Sequence, residues 1–128
     1  GSMINTPSTY PIYMAGLCME WLKEQGGVDA IYKVNCEKAK LLYDYLDESK
    51  MFNGTAQKEY RSIMNVTFNT GDADLDAAFV KYASSKGLTN LKGHRLVGGM
   101  RASIYNAMPI EGVKALVAAL KEFEMENK

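Results

Sequence analysis

Gly93-His94-Arg95-Leu96-Val97-Gly98-Gly99-Met100-Arg101-Ala102-Ser103-Ile104-Tyr105-Asn106 divides into two halves with different physics. The first half is polar and glycine-rich, as a turn requires, and it holds the only histidine in the chain. The second half alternates with period two. Met100, Ala102 and Ile104 share one face of a strand over residues 99–104, and Arg101, Ser103 and Tyr105 share the other. Arg101 therefore stands on a fixed backbone, pointing away from the apolar side. A planar guanidinium held in this way suits a two-pronged grip on a carboxylate or phosphate. Spacing alone leaves the plainer alternative open: His94 and Arg95 as ordinary loop residues, Arg101 paired with an acid of its own fold.

Outward from this strand, the rest of the chain reads as alternating helices and short strands. Upstream, Leu88–Leu91 suggests a short strand, and Gly87 stops the helix before it. That helix begins at Asp72 or Asp74 as cap, runs to Ser85 and turns Leu75, Ala78, Phe79 and Tyr82 inward. Residues 61–68 alternate as a second strand, with Met64, Val66 and Phe68 on one face and Ile63, Asn65 and Thr67 on the other. Asn53-Gly54 is a turn signal after Met51-Phe52.

Two helices come before these elements. One covers residues 12–23, with Ser8 or Thr9 as its cap, and is apolar almost all round. It is therefore buried on more than one side or meets a neighbour. Gly26-Gly27 ends it. The next covers residues 28–46, with a stripe of Ile31, Val34, Leu41, Leu42 and Tyr45. Lys38 interrupts that stripe; its stem can lie along apolar surface, and Glu37, Lys38 and Lys40 mark a solvated side. Downstream of the strand, Pro109 opens a final helix over residues 110–125 with Val113, Leu116, Val117, Leu120 and Phe123 as its core face. The order of elements implies an α+β fold, a small mixed or antiparallel sheet covered by helices on one side.

Composition narrows the function classes. The chain has 128 residues, 47% hydrophobic and 23% charged, with a formal net charge of zero. That balance points away from nucleic acid and from anionic membranes, and no apolar run is long enough to span a bilayer. Cys18 and Cys36 read as buried, reduced thiols in a cytoplasmic protein. Asp72, Asp74 and Asp76 read as first-turn helix residues rather than metal ligands, and no metal site is expected. Gly98-Gly99 lacks the lysine and hydroxyl context of a phosphate loop and precedes a strand. Tyr60 and Tyr105 serve either as hydrogen-bond donors or as packing at the fold's edge. Asn5 and Thr6 offer amide and hydroxyl groups just ahead of a helix start, suited either to capping or to a phosphate. Gly1-Ser2-Met3 looks like the remnant of a cleaved purification tag.

The chain resembles the C-terminal part of the phosphoserine aminotransferases, fold-type-I enzymes of class V dependent on pyridoxal 5'-phosphate. The resemblance is carried by residues 93–109 and Glu111-Gly112-Val113. Asn5-Thr6-Pro7, Gly16-Leu17, Trp21-Leu22-Lys23, Gly26-Gly27-Val28, Arg61-Ser62 and Met64-Asn65-Val66 support it. Ser8 departs from the proline that the family places there. The resemblance implies amino transfer between glutamate and 3-phosphohydroxypyruvate in serine synthesis, with a related step in pyridoxine synthesis. It assigns the substrate carboxylate to Arg101 and the substrate phosphate to His94 and Arg95. Asn5 and Thr6 would reach the cofactor phosphate of the neighbouring subunit in a homodimer. The Schiff-base lysine, the aspartate at the pyridine nitrogen and the stacking ring lie upstream in the family; Lys92 does not match that lysine.

The resemblance thus implies a tag remnant at 1–3, and a segment at 4–26 facing a missing large domain or dimer partner. Residues 27–128 would be a small domain like the C-terminal one of fold-type-I aminotransferases. Such a fragment is expected to contribute recognition of a phosphorylated amino or keto acid, to bind no cofactor by itself and to be inactive alone. The alternatives are a stand-alone small-anion binding module and a structural or interaction domain.

Overall fold

The computed structural model describes residues 4–127; the three residues read as a tag remnant lie outside them. Two compact units divide the chain, Gly1–Lys33 and Val34–Lys128. The first holds α1 (Thr9–Glu24) and the start of α2 (Gly27–Glu48). Gly26 and Gly27 both take left-handed φ, which breaks the helix between them. Ser8 occupies the α1 cap position, but its side chain makes no capping bond.

α1 has no buried residue, and Ile12, Tyr13 and Met19 are all more than 60% exposed. The cover expected for this all-round apolar helix is therefore not supplied by the described residues. Cys18 is exposed for the same reason, contrary to the burial expected of it, while Cys36 is half-buried; both are free thiols.

In the second unit the remainder of α2 is followed by β1 (Asn53–Gly54), a 3-10 turn at Lys58–Tyr60, β2 (Asn65–Asn69), α3 (Ala73–Ser85), β3 (Met100–Ser103) and α4 (Ile110–Glu126). The three strands form an antiparallel sheet in the order β1-β2-β3. Val66 stands opposite Ala102 and Phe68 opposite Met100. These four side chains are buried, so one face of the sheet lies under the helices. Phe79 of α3 forms the hub of this core, with ring centroids of Phe52 and Phe123 at 5.0 and 5.3 Å. All five residues expected to form the core face of α4 are buried. On α3 the inner stripe closes with Ala83 in place of Ala78, which is exposed.

Three local expectations need correction. Asn53-Gly54 is not a turn: it is β1, pairing with Asn69 and Phe68. A ten-residue excursion with its own 3-10 turn intervenes, so no two-residue hairpin exists there. β2 begins at Asn65, not Arg61, because the Ser62 hydroxyl accepts from the amides of Met64 and Asn65 and bends the chain. Leu88–Leu91 forms no regular strand, since Asn90 takes a positive φ of 61°. What remains is an irregular edge: the Arg101 amide donates to Leu91 O, and Lys92 bridges to Met100.

Candidate functional site

β3 places Arg101 on the open face of the sheet, opposite Thr67. Its guanidinium forms no ion pair among the described residues, and its Nε is buried with no hydrogen-bond partner. The acid that the plainer reading required is not found among the described residues. The guanidinium charge thus has no counterpart among the described residues, and a carboxylate would supply one. Arg101 lines a cavity of about 440 Å³ together with Asn90, Leu91, Ser103, Met108 and Gly112. The left-handed Asn90 shapes one wall of it, and the start of α4 shapes another.

His94 and Arg95 sit on a tight loop. The His94 carbonyl accepts from the amides of Val97 and Gly98, and the Gly93 amide donates to Gly99 O. Gly98 and Gly99 take φ of 77° and 65°, which lets the chain return directly into β3. A Cβ at Gly93 would lie 2.1 Å from Gly98 O, so close approach, not unusual φ, requires glycine there.

The Leu96 amide donates to His94 Nδ1 at 3.3 Å. In the neutral ring this leaves the proton on Nε2. His94 and Arg95 are exposed and line a cavity of about 640 Å³ whose opposite wall is α3. Lys81 and Lys92 line the same cavity with a single carboxylate, Asp76. Asp76 is already engaged, accepting from the Thr70 amide and hydroxyl. The cavity is therefore basic on balance, a match for a phosphate. The structure does not merge the two ends: His94 and Arg95 line one cavity and Arg101 the other.

Asn5 and Thr6 belong to the first unit and are exposed. They precede the N-terminus of α1, where Thr9 N turns back to Pro7 O, and they cap nothing among the described residues. An amide and a hydroxyl just ahead of a helix start form a donor set that fits a phosphate ester. The tyrosines weighed above, Tyr60 and Tyr105, are both exposed. Asp72 caps α3 as expected, accepting from the amides of Asp74 and Leu75. No metal-ligating cluster occurs among the described residues, and none of their helices is long and apolar enough to cross a membrane.

Lys38 is not on a solvated side, as its charged neighbours suggest, but wholly buried, with Nζ donating to the carbonyls of Ile104, Tyr105 and Met108 at 2.8–3.0 Å. Desolvation pulls its pKa down from the ordinary lysine value. Its position on an apolar stripe was the available signal. Asn35 is also buried and donates to Asn106 Oδ1 at 2.8 Å.

Comparisons with known proteins converge. The family model described as aminotransferase class-V matches residues 1–116. A curated phosphoserine aminotransferase of Acinetobacter baumannii (strain ATCC 17978) is 58% identical over 127 residues, covering 99% of this chain and 35% of the relative. One from Bacillus cereus (strain ATCC 14579) is 54% identical over the same shares. Among solved structures, phosphoserine aminotransferase from Bacillus circulans subsp. alkalophilus superposes with a TM-score of 0.94 at 41% identity, covering 99% of this chain and 36% of that one. The chain thus spans about a third of the length of the relatives it matches.

Proposed function

Since the chain belongs to the class-V aminotransferase family, we propose that it is the substrate-recognition part of a phosphoserine aminotransferase, acting within a longer polypeptide. That enzyme moves an amino group between glutamate and 3-phosphohydroxypyruvate in the cytoplasm. The observation that carries the assignment is Arg101: a strand-borne guanidinium whose buried Nε has no partner among the described residues. It grips the substrate carboxylate. His94, through its Nε2–H, and Arg95 donate to the substrate phosphate, with Lys81 and Lys92 adding to the local field.

Pyridoxal phosphate, when bound to the parent enzyme, supplies the electron sink for amino transfer. Asn5 and Thr6 are the groups of this chain that hold its phosphate ester, in the neighbouring subunit of a homodimer. The segment 4–26 carries them, and the apolar surface of α1 faces the large domain or that partner. Residues 27–128 act as the small domain. The chain's own contribution is binding and orientation; it provides no proton-transferring lysine at the cofactor.

The test is turnover with glutamate, pyridoxal phosphate and 3-phosphohydroxypyruvate. The 128-residue chain is expected to give no 2-oxoglutarate above a cofactor-only control, and the longer polypeptide containing it to give sustained release. Turnover by the chain alone, or none by the longer polypeptide, would sink the assignment.

A further inference from the structure

Lys38 is a buried cation that the roles above leave unused. Its ammonium donates to three carbonyls, Ile104 at 3.0 Å, Tyr105 at 2.8 Å and Met108 at 3.0 Å. Only the protonated amine has three hydrogens to give. All three acceptors lie where the chain leaves β3 and turns into α4. Asn35, one turn earlier on the same helix, holds Asn106 within that connection. No carboxylate pairs with Lys38 among the described residues, so the backbone carbonyls are its counterpart.

A methionine would fill the same stripe with no charge to desolvate, but it would leave three carbonyls without this donor. What the lysine supplies is a fixed point on which three carbonyl dipoles converge. Two of the residues so held, Ile104 and Met108, line the cavity of Arg101, and β3 carries Arg101 itself.

We propose that Lys38, assisted by Asn35, is a positioning residue that sets the β3–α4 connection and thereby holds the Arg101 guanidinium toward its cavity. The substrate relevance of this rests on the carboxylate role of Arg101; the positioning itself does not. Lys38 touches no substrate and acts only through the backbone it holds.

Nitrogen-15 NMR of the 128-residue chain tests it in three arms. In the unaltered chain the Lys38 ammonium is expected as a signal protected from solvent exchange, with couplings to the carbonyl carbons of 104, 105 and 108. Its absence overturns the proposal without any substitution. In Lys38→Met the Arg101 Nε–H resonance is expected to move or split, while that of Arg61, anchored to Asp47, stays in place as a control for intact folding. An unmoved Arg101 signal in the folded variant overturns the proposal; if the variant does not fold, the first arm decides. Titrating the unaltered chain with acetate is the third arm. Silence of Arg101 there, with the first two arms as expected, would remove its carboxylate role and leave the positioning by Lys38 intact.

Discussion

Replacing Gly93 with alanine presents the His94–Arg95 loop with a contact it cannot absorb. The new Cβ would lie 2.1 Å from Gly98 O and 2.7 Å from Gly99 O, both backbone atoms. Ordinary carbon–oxygen contacts fall at roughly 3.3–3.6 Å, so the overlap exceeds an ångström and no side chain can rotate away. The loop must open. Opening breaks the Gly93 N–Gly99 O hydrogen bond, worth about 1 kcal/mol, and the backbone shift adds about 1–3 kcal/mol.

Gly98 is the matched control. It takes φ of 77°, but a Cβ there meets nothing within 4 Å, so Gly98→Ala carries only the left-handed strain of about 1–2 kcal/mol. Urea unfolding of both variants, with amide exchange at residue 93, separates the two. Gly93→Ala is expected to lose more stability, by about 1–2 kcal/mol, and to lose protection at the residue-93 amide, which Gly98→Ala keeps. Equal losses, or a protected amide in Gly93→Ala, would refute the claim that close backbone approach shapes this loop.

Two further predictions concern the framework. Asp72→Ala removes the acceptor for the amides of Asp74 and Leu75 and should lower unfolding free energy by about 1 kcal/mol, with Asp72→Asn recovering most of it; urea unfolding checks this. Asp47, hydrogen-bonded by Arg61 and next by Lys58, has its pKa lowered from 3.8 to about 2. Between those values the unfolded chain binds more protons, so this stability is full above pH 3.8 and is lost as pH falls through about 2. Solvent screening holds it to about 1 kcal/mol or less, and Asp47→Asn should flatten that limb of an acid-unfolding curve.

The sequence was most informative where one periodicity ruled. The α4 core face, and the buried side of β3 with Met100 and Ala102 that Ile104 continues just beyond it, follow from spacing because one face of each meets the core. It was least informative where a local signal depended on a distant partner. Asn53-Gly54 has the composition of a hairpin turn, yet it pairs with residues 68–69, beyond the reach of local pattern. Asn90 enters a left-handed conformation that composition does not announce, and the expected strand dissolves around it. Lys38 carries a side chain that usually faces water. The three carbonyls that hold it lie 66 to 70 residues away in sequence. Arg101 was legible as a grip but not as an unpaired one; that needed the absence of a nearby acid among the described residues. Lys81 and Lys92 join the His94–Arg95 cavity only through the packing of α3.

The proposed division of labour between Arg101 and the His94–Arg95 loop is tested most directly by kcat/KM in the longer polypeptide, with phosphoserine and serine as alternative amino donors. Both donors carry the carboxylate and only one the phosphate. Arg101→Ala should lower kcat/KM for both alike, by roughly a hundredfold for the loss of a charge-assisted pair worth about 3 kcal/mol. Arg95→Ala should lower only the phosphoserine value and so collapse the preference between the two. A preference that survives Arg95→Ala, or one that changes with Arg101→Ala, would contradict the assignment of carboxylate and phosphate to these two ends.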